Sequence, residues 1–210
     1  SNGVNYWKND FKTQQKVYRI YNDQQLKTVI DSIYQAGYED ELILQEFVPG
    51  DDSQLRVMIG YSGKDKKVKL MSLANVLLEE HTPHGLGNAS FSITEYNQEL
   101  SNMLKSFLEG IGYVGFFTFD IKYDHRYDKY KVLEINLRQG RSNYYVTGAG
   151  YNLAKYVVED YIYNRDTGFQ IVKEDNLWLS IPLGIALKYV KDKDKLDKVN
   201  KLVKNKKISR

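Results

Sequence analysis

The chain has 210 residues, 42% of them hydrophobic and 27% charged, the balance of one ordinary globular domain or of two small packed subdomains. That excludes a disordered chain, a collagen-like fibre and a disulfide scaffold, and the zero cysteines exclude thiol chemistry and thiolate metal sites and fit a reducing, cytoplasmic setting. The 30 basic and 27 acidic residues leave a net charge of +3, too balanced for a nucleic-acid footprint, and no run of about 18 apolar residues could insert in a membrane as a helix.

With 3 prolines against 18 tyrosines, the composition favours strands and regular elements over long linkers. KVYRIY (16–21) alternates like a strand. Asn22 then caps a helix, with Gln25 at the capping-box position and Leu26, Val29, Ile30 and Ile33 at helical spacing before Gly37 closes it. ELILQEFV (41–48) reads as a mostly buried strand that stops at Pro49 and Gly50. Two strands follow, 54–61 and 67–78, joined by a turn around Ser62, Gly63 and Lys64. EEHTPHGLGNASFS (79–92), which carries His81 and His84, is the one long irregular stretch, and such loops tend to be functional. A helix over 97–109 presents Leu100, Met103, Leu104, Phe107 and Leu108 on one face. The strands 113–123 and 129–137 flank the turn DHRYD. A helix near 150–163 comes next, and the alternating Lys and Asp residues of 191–198 read as a solvated helix.

The hairpin 113–138 carries the chemistry. Phe117, Phe119 and Ile121 point one way and Thr118, Asp120 and Lys122 the other; Leu133, Ile135 and Leu137 face the core, with Glu134, Asn136 and Arg138 opposite. A turn centred near Tyr127 puts Asp120 across from Glu134, and like charges across a strand pair, roughly 5 Å apart at Cβ, repel. A divalent cation converts that cost into a site, and two carboxylates plus the Asn136 amide suit Mg²⁺. The same residues also read as the wet face of an antiparallel sheet. Arg138 and Arg141, beside the acids in EINLRQGRS (134–142), shift the reading toward a metal–phosphate site.

TFD (118–120) followed by EINLRQGRS resembles the metal-binding signature of the ATP-grasp superfamily, with spacing similar to that of carbamoyl-phosphate synthetase large subunits. LQEFVPGDD (44–52), EEHTPHGLGN (79–88) and YYVTGAGYNL (144–153) look most like D-aspartate ligases and related carboxylate–amine ligases. The resemblance covers about residues 16–163. It implies an α+β ATP-grasp fold, an antiparallel sheet flanked by helices, incomplete at the N-terminus. Residues 1–48 would form part of the lid, and 49–210 the catalytic subdomain with a C-terminal helical extension.

On that resemblance Asp120, Glu134 and Asn136 hold Mg²⁺ against the ATP phosphates, and Arg138 and Arg141 neutralise the phosphoryl group and the attacking carboxylate. Gln45 or Glu46 and the Val48 backbone meet the adenine edge, Asp52 (or Asp51) the ribose, and Lys16 the nucleotide phosphates. The implied activity is ATP-dependent ligation of a small carboxylate to an amine, an amino acid or peptidoglycan precursor among them. The rivals are a carbamoyl-phosphate-synthetase-like or carboxylase-like activity and a non-catalytic nucleotide-binding module. The resemblance also implies an N-terminal αβ domain and a first phosphate-binding lysine that the 210 residues do not contain, so the expectation is either a fragment or a chain that has lost its front, inactive or only weakly nucleotide-binding by itself.

Overall fold

The computed structural model describes residues 3–82 and 85–210, and they divide into two compact units. The first draws on residues 1–47 and 81–86, the second on 48–80 and 87–210. His84 lies outside the described residues.

In the first unit, α1 (Gly3–Lys8) and α2 (Asp23–Gln35) surround an aromatic nest. Tyr6, Ile33 and Tyr38 are buried there, with Trp7, Phe11, Tyr18, Val29 and Leu42 packed against them. The start of α2 follows the capping logic read from sequence. The Asn22 side chain accepts from the Gln25 amide at 2.9 Å, and the Gln25 side chain accepts from the Tyr21 amide at 2.9 Å. Gly37, at φ 91°, follows the C-cap in the left-handed region.

The second unit is built on β1 (Leu55–Ser62), β2 (Val68–Glu79), β3 (Ala89–Glu95), α3 (Gln98–Gly110), β4 (Gly115–Asp124), β5 (Lys129–Asn136), α4 (Tyr144–Gly148), α5 (Leu153–Tyr161), β6 (Gln170–Ile171), β7 (Leu177–Leu179), α6 (Leu183–Ala186), α7 (Lys193–Lys204) and β8 (Ile208–Ser209). The strands form one sheet in the order β5-β4-β1-β2-β3-β7-β8, with β6 beside β2. The long pairings are antiparallel, and the short β6 and β8 pairings are parallel. This is the α+β arrangement of an antiparallel sheet flanked by helices.

Alternation along the strands supplies both faces of this sheet with apolar side chains. Val57, Ile59, Ala74 and Val76 meet Tyr145, Val146, Leu153 and Tyr156 from α4 and α5. On the opposite face Met58, Leu73, Phe117, Phe119 and Ile121 meet Leu100, Leu104 and Leu108 of α3. A third cluster joins Phe91, Leu177 and Leu179 to Val199 and Leu202 of α7. No residue of 191–198 is buried, as expected of a solvated stretch, and the buried edge of α7 comes after it, at Val199 and Leu202. Each fully buried side chain of this size contributes about 1.5–3 kcal/mol.

Several expectations are corrected. Residues 16–21 and 41–48 are not strands: no partner ladder forms, and strand propensity without a partner leaves backbone groups to water. Ile43 and Leu44 are accordingly 72% and 65% exposed, not buried. The irregular loop is shorter than 79–92, because Ala89–Glu95 pairs with β2. Met103 and Phe107 are exposed at the rim of α3's apolar face. On β5 the register shifts between Asp120 and Ile121, so that Val132, not Leu133, stands opposite Ile121. That bulge removes Leu133 from the expected core alternation, and Leu137, beyond the end of the strand, is exposed.

Candidate functional site

The β4–β5 hairpin closes through a charged turn. Asp124, with no exposed surface, accepts from Arg126 Nε at 2.8 Å, from Arg126 Nη2 at 2.7 Å and from its backbone amide at 3.1 Å. These hydrogen bonds hold its carboxyl down to about 2, against burial, which raises it. With the turn pinned, the ladder places Asp120 opposite Glu134 and Thr118 opposite Asn136. Residues paired in this way share a face, so the two carboxylates and the Asn136 amide lie together. It is the α4 face of the sheet, since Asp120 also pairs with Val57 and Thr118 with Ile59.

Asp120 and Asn136 are half-buried and Glu134 is exposed. The Asn136 Nδ2 donates to Asp120 Oδ2 at 3.2 Å. The Thr118 hydroxyl donates to the Arg138 carbonyl at 3.1 Å, and the Gly140 amide to Asn143 Oδ1 at 2.8 Å. These two bonds turn the chain after β5 across the face, carrying Arg138 and Arg141 with it. Arg138 is exposed and bonds locally to the Gln139 carbonyl. Arg141 forms an ion pair with Glu80, just past the end of β2. The Glu80 amide in turn donates to the Asn88 carbonyl at 2.8 Å. At the root of α4 the Tyr145 hydroxyl donates to the Ser72 carbonyl at 2.5 Å, with the Val57 carbonyl 3.2 Å away. Burial raises the pKa of that phenol well above the ordinary range, so it stays a donor.

The segment 44–52 crosses from one unit to the other. Gln45 and Glu46 are exposed residues of the first unit, and Val48 is a buried residue of the second. Asp51 accepts from the Ser53 hydroxyl at 2.6 Å and its amide at 3.0 Å, and the hydroxyl bond leads in lowering its pKa. The Asp52 carboxylate accepts from the Glu79 amide at 2.9 Å, which ties it to the stretch of β2 next to Glu80. Lys122 adds a bond to the Gly50 carbonyl at 2.8 Å. Lys16, in the first unit, donates to the Leu86 carbonyl and does not begin a strand.

The structure thus gathers Asp120, Glu134 and Asn136 on one ladder, Arg138 and Arg141 on the loop beyond it, and Asp52 beside Glu79. Lys16, Gln45 and Glu46 belong to the other unit. Sequence reasoning gave no role to Glu80 or Asn143, and placed Thr118 on the face of Asp120 without its bond to the Arg138 carbonyl. Glu80 stands in the quoted EEHTPHGLGN, yet its arginine partner is 61 residues away and no local pattern links them.

The donor set fits a Mg²⁺ ion. Among the described residues no group of three or more His, Cys, Asp and Glu could hold a metal, which argues against an all-protein cage. Mg²⁺ is instead held by one or two carboxylates, the remaining positions taken by water and substrate phosphates. Glu134 forms no hydrogen bond or ion pair with the described residues, so its oxygens need not leave a partner to bind. Asn136 would first have to turn its amide, because its nitrogen now faces Asp120.

No family model matches the chain. Over 209 residues, 97% of its length, it is 38% identical to the D-aspartate ligase of Enterococcus faecium (strain Aus0004). It spans 50% of that relative's length. The resemblance to D-aspartate ligases that the motifs carried is therefore found along nearly the whole chain. Among solved structures, N5-carboxyaminoimidazole synthetase from Staphylococcus aureus is similar at a TM-score of 0.49 and 16% identity, over 75% of this chain and 40% of that one. The biotin carboxylase subunit of pyruvate carboxylase gives 0.44 and 14%, over 70% and 35%.

Proposed function

We propose that this chain is the catalytic part of an ATP-grasp carboxylate–amine ligase of the D-aspartate ligase kind, acting in the cytoplasm on ATP, a small carboxylate and an amine. Residues 1–48 would contribute part of the lid and 49–210 the catalytic subdomain. The observation that carries the reading is the pairing of Asp120 with Glu134, with Asn136 bonded to Asp120, on one sheet face. The 38% identity to D-aspartate ligase supports it.

Asp120, Glu134 and Asn136 would hold Mg²⁺, which when bound neutralises charge on the ATP phosphates. Arg138 and Arg141 receive the charge that moves outward in the transfer. The Glu80 ion pair holds Arg141 in place before substrate arrives, so less ordering remains for the transition state. The γ-phosphoryl group passes to a carboxylate oxygen and ADP leaves; the amine then attacks the acyl carbon, and inorganic phosphate departs. No protein nucleophile is required. Gln45 or Glu46 and the Val48 backbone would read the adenine edge and Asp52 the ribose. Lys16 would exchange the Leu86 carbonyl for a phosphate oxygen.

Thermal melts of the chain with Mg·ADP and with EDTA test the binding half of this reading. Nucleotide at a hundredfold over Kd adds about 2.7 kcal/mol, roughly 5–10 °C for a chain of this size. Asp120→Asn and Glu134→Gln should each abolish the shift. Variants that shift as the parent does would overturn the assignment.

A further inference from the structure

Behind the turn that carries Asp52, the sheet of the second unit holds a buried polar cluster. Arg56 and Asn75 stand opposite each other on β1 and β2, so their side chains share a face. It is the α3 face, because Val57, the neighbour of Arg56, pairs with Asp120 on the other. The next residues on this face along each strand, Met58 and Leu73, are apolar and belong to the core against α3. Asn75 is nevertheless 2% exposed and the Arg56 side chain 11%. A buried amide and a buried cation cost stability unless their donors are satisfied.

Those donors converge on the turn. Arg56 Nη1 donates to the Ser53 carbonyl at 2.9 Å and to the Leu55 carbonyl at 3.0 Å. Asn75 Nδ2 donates to the same two carbonyls, at 2.9 Å and 3.0 Å. Glu95 of β3 forms an ion pair with the Arg56 guanidinium, and the Tyr130 ring lies 5.9 Å from it, so the fork is held in one orientation. Residues 51–54 precede the first paired residue of β1, and side chains from the sheet therefore support this turn where strand pairing does not. Asp52 stands immediately before Ser53, and its carboxylate accepts from the Glu79 amide at 2.9 Å. A carboxylate has about four acceptor positions, which one amide does not exhaust.

We propose that Arg56 and Asn75, with Glu95 orienting the guanidinium, are positioning residues that hold the turn so that the Asp52 carboxylate meets the ribose hydroxyls of the nucleotide. The inference rests on the ligase reading, in which Asp52 takes the ribose. It adds that the preference for a ribonucleotide is set from the far face of the sheet, by groups that act through Asp52 and touch no substrate themselves. Hydrogen bonds from hydroxyls to a charged acceptor are strong when aligned and weaken steeply when they are not. A turn that loses its support therefore loses ribose discrimination first.

Calorimetric titration of the whole chain with Mg·ADP and with Mg·2′,3′-dideoxy-ADP, which lacks both hydroxyls, tests it. The parent should bind ADP at least about tenfold more tightly than the dideoxy nucleotide, and Asp52→Ala should remove the difference. Arg56→Lys keeps a charge against Glu95 but loses the planar fork, and Asn75→Ala removes the second donor. Each should lower the preference for ADP to about threefold or less while leaving the affinity for dideoxy-ADP within about twofold of the parent's. Arg56→Lys, the milder change, decides the matter if Asn75→Ala does not fold. A variant that weakens both nucleotides alike has lost a merely structural support, and that result overturns the proposal. A preference lost in Asp52→Ala but kept in Arg56→Lys and Asn75→Ala overturns this inference alone. A parent that binds the two nucleotides equally, or a preference that survives Asp52→Ala, removes the ribose role of Asp52 and this inference with it. A parent that binds neither nucleotide overturns the ligase reading as well.

Discussion

Glu134 and Asp120 are like charges held on directly opposed positions of one ladder. Without a metal such a pair is destabilising by up to about 1 kcal/mol, and less where, as for Glu134, water screens the side chain. Glu134→Gln should therefore leave the metal-free chain as stable or slightly more stable, while removing stabilisation by Mg·ADP. Melts in EDTA and in Mg·ADP separate this from a structural role. A variant that melts lower in EDTA would mean that Glu134 supports the fold through a partner. At this scale the sequence was informative because a strand pair about a short turn leaves few registers, and parity alone joins Asp120, Glu134 and Asn136. It was silent on Glu80, since the Arg141 ion pair depends on where a loop crosses the sheet and not on any spacing within β2.

The turn of the β4–β5 hairpin is closed by Asp124, whose carboxyl is held at about 2 by Arg126. A carboxyl lowered from its ordinary 3.8 contributes stability in full above that ordinary value, and the contribution is lost as pH falls through the lowered one. Asp124→Asn should lower the melting temperature at neutral pH, and the gap to the parent should close as pH falls from about 4 toward 2. A gap that persists unchanged at pH 2 would show that shape, not charge, is what the turn requires. The turn itself was legible in DHRYD. The bulge was not, because Leu133 fits the apolar alternation as well as Val132 does, and only the pairing with Ile121 decides between them. The α2 helix was legible through its cap, since Asn22 and Gln25 satisfy backbone groups within four residues of themselves. The strands expected at 16–21 and 41–48 failed for the complementary reason: a strand is a property of two segments, and its propensity belongs to one.

At the scale of the whole chain, the second unit holds the three clusters that cover the sheet, whereas the first relies on one small aromatic nest. Hydrogen exchange should follow that division, with the amides of β1, β2 and β4 the slowest and those of 41–48, outside any ladder, exchanging orders of magnitude faster. Protection at 41–48 equal to that of β1 would mean that this segment is paired after all. The overall class was readable because alternation recurs in segment after segment. The division into two units falls instead between the exposed Phe47 and the buried Val48, a difference in burial that no local pattern marks. The two opposed carboxylates are the centre of the proposed site, and anomalous diffraction from crystals of the chain grown with Mn²⁺ and ADP tests them most directly. One metal peak between Asp120 and Glu134, about 2 Å from an oxygen of each and in contact with a phosphate, is the predicted result. A nucleotide bound with its metal elsewhere, or a peak that survives in crystals of the Asp120→Asn/Glu134→Gln chain, would contradict it.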